Sequence, residues 1–462
     1  MNKELIKSFL IYGLTSGLSK FVPLLLIPIY TRVFSPADYG TMDVIQSIVL
    51  ILTIFGTLQL ETSIQRYYYE FNEKLRKKMI ATVLIAVSVL SILLCIITFL
   101  FATLLSEILF STEIYKTEIL VASFIIPFLN ISTVNFIVLR YLKKPFLFGF
   151  LTFLQVVITA LATVLLVLYY KLGISSVFWG QLAGFFLITV IQFYFIRNHI
   201  IICWSPKLLK KMLSFALPQF PARIGSTSNA YINRFFMIGM LSATSIGLFS
   251  VALKFASIMQ LVLSAFLMSW IPFMYENLKK NNHKTIFKNI FNIVIYLSGA
   301  FIILISLFSK EILVLFTTKK FFEAYYLLPG LIFYYGLFIV KGVVDIGPMI
   351  SKRMIYSSYS YFISSVINIF LIYLFVKFFG LKGVVYALIF TNIFLVILCW
   401  YYSEKLYPIF FSKRIFLFYI LILFPLILLL MNFDVNLLFR ISLSILIIVA
   451  SLFYIKKIKL NE

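Results

Sequence analysis

Apolar stretches of about 20 residues, the length that crosses the hydrocarbon of a bilayer, recur along this chain from residue 8 almost to its end. Short clusters of Lys and Arg separate them. No water-soluble packing accommodates that rhythm, because each stretch is too long and too apolar to leave one face in water. Charged residues fill 12% of the 462 positions and hydrophobic ones 62%. A soluble domain of this size needs about twice that charge to cover its surface. The predicted fold class is therefore all-α integral membrane. Met1 to Lys7 run straight into the first apolar stretch with no small-residue cleavage site, so that stretch is expected to stay as a helix.

A formal net charge of +24 would suit a nucleic-acid partner if the basic residues formed a surface stripe. They lie instead between apolar spans, where membrane proteins carry their topology signal, so no nucleic-acid partner is expected. Cys95, Cys203 and Cys399 are too scattered for a metal knuckle or a disulfide framework. His199 and His283 fall in basic loops, where a solvated role is expected. No metal-ligand spacing, Gly-rich phosphate loop or Ser-His-Asp set occurs, so neither metal nor cofactor is expected and the chain does not read as an enzyme.

Cutting at charged and turn-forming clusters gives about fourteen spans, near 8–31, 41–62, 79–104, 117–139, 146–169, 174–196, 212–240, 244–271, 286–308, 323–346, 354–376, 383–402, 415–431 and 437–455. Alternate loops then carry roughly 26 basic residues on one side and about nine on the other. The positive-inside rule places the richer side, with both termini, in the cytoplasm.

A shift of 207 residues brings distant stretches into register. Phe34-Ser35-Pro36-Ala37-Asp38-Tyr39-Gly40 falls on Leu241-Ser242-Ala243-Thr244-Ser245-Ile246-Gly247, and Leu172-Gly173-Ile174 falls on Phe379-Gly380-Leu381. Duplication of a six-span unit is the better reading, and an even span number leaves both copies in one orientation. The expected domains are a six-helix bundle over 1–200, a second over 201–408, and two accessory helices with a cytoplasmic tail over 409–462. Parallel repeats of this kind pack around a pseudo-two-fold along the membrane normal in many transporters.

Span 7 fits lipid worst. It holds Pro218, Gln219, Pro221, Arg223, Ser226, Thr227, Ser228, Asn229, Asn233 and Arg234, and each central Arg costs about 2.5–3.5 kcal/mol in hydrocarbon. Arg223, Thr227, Ala230 and Arg234 share one helical face. Span 1, its repeat partner, carries Gly13, Gly17, Lys20, Pro23 and Pro28, and such interrupted spans at matching positions point to a transport site. At 1.5 Å per residue, Lys20 lies about 18 Å, Arg223 about 16 Å and Lys254 about 15 Å into their spans, near the midplane. Arg234 sits closer to the outer surface. These cations, with no carboxylate level with them in their own helices, suit an anionic substrate, and Gln219, Ser226, Thr227 and Asn229 suit hydroxyl groups. The competing reading is separate structural residues that snorkel or hold backbone carbonyls. Gly13 and Gly17 fit helix packing better than ligand contact. Glu61 and Arg66 read as a surface ion pair or as a gate. Lys341 and Asp345, four apart, read as a simple pair or alternatively as a coupling-ion site or inner gate. Tyr67, Tyr68 and Tyr69 read as an interfacial belt.

The run Pro28 to Gly40 resembles the first outer turn of the O-antigen and capsule-type oligosaccharide flippases, relatives of the multidrug-and-toxin (MATE) exporters. Asn233-Arg234-Phe235-Phe236, with Gly247-Leu248-Phe249-Ser250-Val251-Ala252-Leu253-Lys254, resembles that family's second such turn, although Asn233 stands where the family has Asp. Gly380 to Ala387 resembles the start of its twelfth span. The resemblance implies two six-helix bundles, two accessory helices and a cavity that opens alternately to each side of a bacterial cytoplasmic membrane. It implies an undecaprenyl-diphosphate-linked oligosaccharide as substrate, membrane lipids around it, and a glycan polymerase and glycosyltransferases as pathway partners. Two negative charges moved outward across 100 mV gain about 4.6 kcal/mol, so the membrane potential suffices as a drive. The alternatives are a cation-coupled small-molecule exporter of the same superfamily and a membrane-embedded glycan polymerase or ligase. The latter needs a large catalytic outer loop, and the longest outer loops have about a dozen residues.

Overall fold

A computed structural model describes residues 24, 26–278, 280–351 and 353–460. Every regular element among them is a helix. The chain forms two compact units, Met1–Ile246 and Gly247–Glu462.

In the first unit, residues 26–33 are helical, followed by α1 (Pro36–Thr57), α2 (Leu60–Tyr67), α3 (Glu73–Leu100) and α4 (Ala102–Phe110). Then come α5 (Lys116–Tyr141), α6 (Pro145–Leu168), α7 (Ser175–Ile196), α8 (Pro206–Ala216) and α9 (Phe220–Met240). Sequence dictates the starts. Ser35 caps α1 by accepting from the Asp38 N–H at 3.2 Å, while the Ser35 N–H donates to the Asp38 carboxylate at 2.9 Å. Pro36 follows at the first helical position, where its missing N–H costs nothing. Asn72 and Ser205 cap α3 and α8 in the same manner. The interior of α3, α5 and α7 is joined by amides rather than by shape alone. Asn130 donates to Ser91 at 2.8 Å, Asn135 to Gln192 at 3.3 Å, and Thr189 to the Phe128 carbonyl at 3.2 Å. In lipid such bonds tie helices together where no hydrophobic drive exists between them.

The second unit contains α10 (Ala243–Ala256), which begins four residues before it, α11 (Ile258–Asn277), α12 (His283–Leu307), α13 (Ser309–Phe316) and α14 (Leu328–Val344). It ends with α15 (Gly347–Ile350), α16 (Ile355–Leu406), α17 (Lys413–Asn432) and α18 (Leu437–Leu460). α14 is buried along nearly its whole length, and α12, α16 and α17 pack around it. Arg440 of α18 donates to the Leu307 carbonyl at 3.0 Å and pairs with Glu311 at 2.8 Å, holding the last helix against α12 and α13.

Every expected span from the second to the fourteenth has a helix at its place, and the first lies almost wholly outside the described residues. Ten helices among the described residues are long and apolar enough to cross a membrane. One of them, α16, has 52 residues and carries two expected spans on either side of Gly380. α9 falls short on apolarity, as its composition requires.

The internal repeat reappears in backbone detail. Ser242 accepts from the Ser245 N–H at 3.2 Å, as Ser35 does from Asp38. α3 ends at Leu100 and α12 at Leu307, 207 positions apart. Each is followed by a Phe that breaks the helix, Phe101 at φ −96° and Phe308 at φ −104°. A short helix then begins at once, α4 in one repeat and α13 in the other. Those two short helices were not expected from the hydropathy pattern, whose spans stopped at 104 and 308.

Candidate functional site

Two prolines set the geometry of span 7. Pro218 and Pro221 cannot continue an α-helical ladder, and the chain makes a tight 3-10 turn over Leu217–Gln219 between α8 and α9. The Gln219 amide donates to the Phe215 carbonyl at 3.1 Å, so it satisfies the end of the preceding helix. Arg223 follows one turn into α9 and is exposed. Thr227, expected on the same face, is buried. The side chains of Ser226 and Asn229, and all of Lys20, lie outside the described residues.

Span 2 supplies the acids. Between α1 and α2, Leu58 and Gln59 adopt φ of +46° and +59°, a left-handed conformation that costs non-glycine residues about 1–2 kcal/mol each. Strain of this kind persists only where the surroundings enforce it, and it gathers at functional positions. The break re-aims α2 and brings Glu61 under the charge of Arg223. One Glu61 oxygen, Oε2, is buried without a hydrogen-bond partner. Arg66 pairs instead with Glu70 on the surface. The expected Glu61–Arg66 pair is therefore corrected: five residues of helix separate the two side chains around the axis, and each takes a different partner.

Deeper along α9, Arg234 is only 3% exposed. Its Nε donates to Asp43 Oδ2 of α1 at 2.8 Å, and its guanidinium lies 5.7 Å from the Tyr231 ring. Asp43 was missed in the sequence because it looks like an ordinary polar residue in the first turns of an outer helix. The resemblance carried the missing signal: Asn233 occupies the place of a family Asp, and the carboxylate that serves Arg234 comes from another span.

In the second unit, Lys254 lies in the last turn of α10, half-buried, and its carbonyl accepts from the Ser257 hydroxyl at 2.6 Å. Lys341 and Asp345 do pair, at 2.7 Å and nearly out of contact with solvent. Ser357 donates to the second Asp345 oxygen at 3.0 Å, and the Lys341 ammonium stands 4.7 Å from the Tyr361 ring. α14 stops at this pair, and the Gly347 N–H beyond it donates to Ser403 at 2.7 Å. The knot fastens α14, α15 and α16 at one level.

Two smaller expectations change. Tyr68 is buried in the core under α2 while Tyr69 is exposed, so the three tyrosines do not form one belt. His283 is not simply solvated: its Nδ1 meets the Lys280 carbonyl at 2.6 Å and its Nε2 meets the Tyr407 hydroxyl at 2.6 Å. Since a carbonyl can only accept, the ring donates from Nδ1 to Lys280. Among the described residues no group of three potential metal ligands occurs.

The chain is similar to several solved transporters. The lipid II flippase MurJ in an inward closed conformation matches at 18% identity and a TM-score of 0.74, covering 97% of this chain and 100% of that one. An inward-facing multidrug-resistance MATE transporter of the MOP superfamily matches at 14% identity and a TM-score of 0.70, covering 85% and 94%. A Vibrio cholerae MATE transporter matches at 15% and 0.59, covering 87% and 96%. No curated protein matches. These likenesses establish the fold, and the neighbours are transporters and flippases rather than enzymes. The family model described as polysaccharide biosynthesis protein matches residues 5–278, more than half of the chain, and the chain belongs to that family.

Proposed function

We propose that this protein moves undecaprenyl-diphosphate-linked oligosaccharide repeat units from the cytoplasmic to the outer leaflet of a bacterial inner membrane by alternating access. The observation that carries the reading is Arg223, an exposed cation on the least apolar membrane-length helix, one turn beyond a proline break, in a polysaccharide biosynthesis family chain. A diphosphate is held most strongly by cations at membrane depth, where the dielectric is lower than in bulk water. Arg223, Lys20 and Lys254 are the proposed contacts, with Thr227, Gln219, Ser226 and Asn229 toward sugar hydroxyls. Glu61 serves as the intramolecular counter-ion that the substrate phosphate displaces from Arg223. Asp43–Arg234 and Lys341–Asp345 act as ties that hold helices rather than as substrate contacts, and both termini are placed in the cytoplasm. The fold likeness to a lipid II flippase supports a lipid-linked cargo.

Replacing Arg223 or Lys20 by Ala is expected to abolish glycan export in a flippase-null strain while membrane insertion is retained. Full complementation by both variants would overturn the cationic site. A cation-coupled small-molecule exporter is the second reading, favoured by the likeness to MATE transporters and by the buried Glu61 carboxylate. It predicts drug efflux in the same strain and no change in glycan export.

A further inference from the structure

At one end of the first unit the ends of α2, α5 and α7 meet the starts of α3 and α8. Tyr67 stacks on Phe71 at 5.4 Å, and the Lys211 ammonium stands 4.9 Å and 4.8 Å from those two rings. Arg76 lies 4.5 Å over Tyr68 and donates to the Phe71 carbonyl at 3.2 Å. These cations are spoken for by aromatic faces and backbone.

Beside them is a second cluster with a different character. Lys144, Lys77 and Arg76 all bear on the imidazole of His199, and Glu73 is the one acid that does so. Glu73 is already paired with Lys77 at 2.8 Å. Lys77 of α3, Lys144 before α6 and His199 after α7 thus come to the same end of the unit, with Glu73 as the one acid among them. The adjoining segment 200–204 is extended and fastened to α3 through the Thr82 hydroxyl, which donates to the Cys203 carbonyl at 3.4 Å. It presents bulky apolar side chains outward, with Ile202 94% and Trp204 49% exposed. Phe146, just beyond Lys144, is exposed as well. All of this lies where membrane-length helices end, the depth of lipid headgroups.

We propose that this surface is a binding site for an anionic phospholipid, with Lys77, Lys144 and His199 around its phosphate and Ile202 and Trp204 among its upper acyl carbons. The pairing of cations with protruding apolar side chains is what separates a lipid from a soluble anion. A free phosphate makes no use of Ile202, and a neutral lipid makes no use of the cations. Each lysine near such a headgroup contributes about five-fold in affinity. The inference is independent of which molecule is transported.

The test reconstitutes the full chain in phosphatidylcholine vesicles containing a minor share of brominated phosphatidylglycerol or brominated phosphatidylcholine. Trp204 emission is taken as the difference between the wild type and Trp204→Phe. Brominated phosphatidylglycerol is expected to quench it the more strongly. Lys77→Gln/Lys144→Gln should remove that preference while Trp204 remains quenched by both lipids. Equal quenching by the two lipids in the wild type, or no quenching by either, would overturn the site, as would a preference that survives in the double variant. Relief of the quenching by inorganic phosphate at constant ionic strength would reassign the cluster to a soluble anion and overturn the lipid.

Discussion

Gly173 and Gly380, 207 positions apart, both take a positive φ, +59° and +56°. Each opens the sixth span of its repeat, and around each the space where a Cβ would stand is empty. Substitution there meets backbone strain and nothing else. Gly173→Ala and Gly380→Ala are each expected to lower stability by about 1–2 kcal/mol. Gly380→Asn should cost as much as Ala, since a ψ of −134° lies outside the left-handed well that Asn tolerates, and Gly173→Asn serves as the comparison. Thermal unfolding in detergent compares the four variants, and a neutral Ala at either site would contradict the assignment.

The Asp43–Arg234 pair predicts an asymmetry between single and double variants. Removing one partner leaves a buried charge, at a cost of about 3–5 kcal/mol. Arg234→Ala and Asp43→Ala should therefore reduce the folded yield strongly. Asp43→Leu/Arg234→Met should recover most of it, because two apolar residues leave no orphan. Fluorescence-detected size-exclusion profiles of the three variants read this directly.

Burial also separates two of the i,i+4 pairs. Arg66–Glu70 is about half-exposed, and pairs of that kind are worth about 0–1 kcal/mol. Arg66→Gln should be nearly silent in both stability and export. Lys341→Ala breaks a pair that is 15% and 8% exposed and removes the anchor of three helices. Its expected cost is again about 3–5 kcal/mol. Equal melting temperatures for the two variants would show that the Lys341 knot is not buried as described.

A pH response is expected at the loop between α17 and α18. Lys310 donates to one Asp434 oxygen at 2.9 Å and the Tyr325 hydroxyl donates to the other at 2.8 Å, and these bonds hold the carboxyl below its ordinary value. A depressed folded value stabilises the fold above the unfolded value, near 3.9. That contribution is lost as pH falls through the folded value. Protection of the start of α18 should thus stay constant from about pH 8 to 5 and fall only below about 4. Hydrogen exchange, corrected for its intrinsic pH dependence, measures it. Asp434→Asn should flatten the profile.

How much of this was written in the sequence depends on range. Span positions were legible because about 20 apolar residues in a row admit one reading in a bilayer. The repeat was legible at Ser35 and Ser242, and at Gly173 and Gly380, because caps and positive-φ glycines are local devices with fixed residue requirements. The Lys341–Asp345 pair was legible because a helix alone brings residues four apart together. Asp43–Arg234 was not, since 191 positions separate its members and only the packing of α1 on α9 joins them. The turning of Glu61 toward Arg223 depends on two strained residues, Leu58 and Gln59, whose side chains give no hint of a left-handed backbone. Of the candidate site, the sequence named Arg223 and the structure supplied its acid.

The buried tie between α1 and α9 also has a consequence in time. Asp43 leaves the ribosome 191 residues before its counter-ion, and at roughly 5–20 residues per second that interval is about 10–40 s. Through it the nascent first half must shelter an unmatched acid inside or beside the bilayer, by protonation or by the insertion machinery. The first unit can close only when α9 has been made, so its completion waits on the first helix of the second repeat.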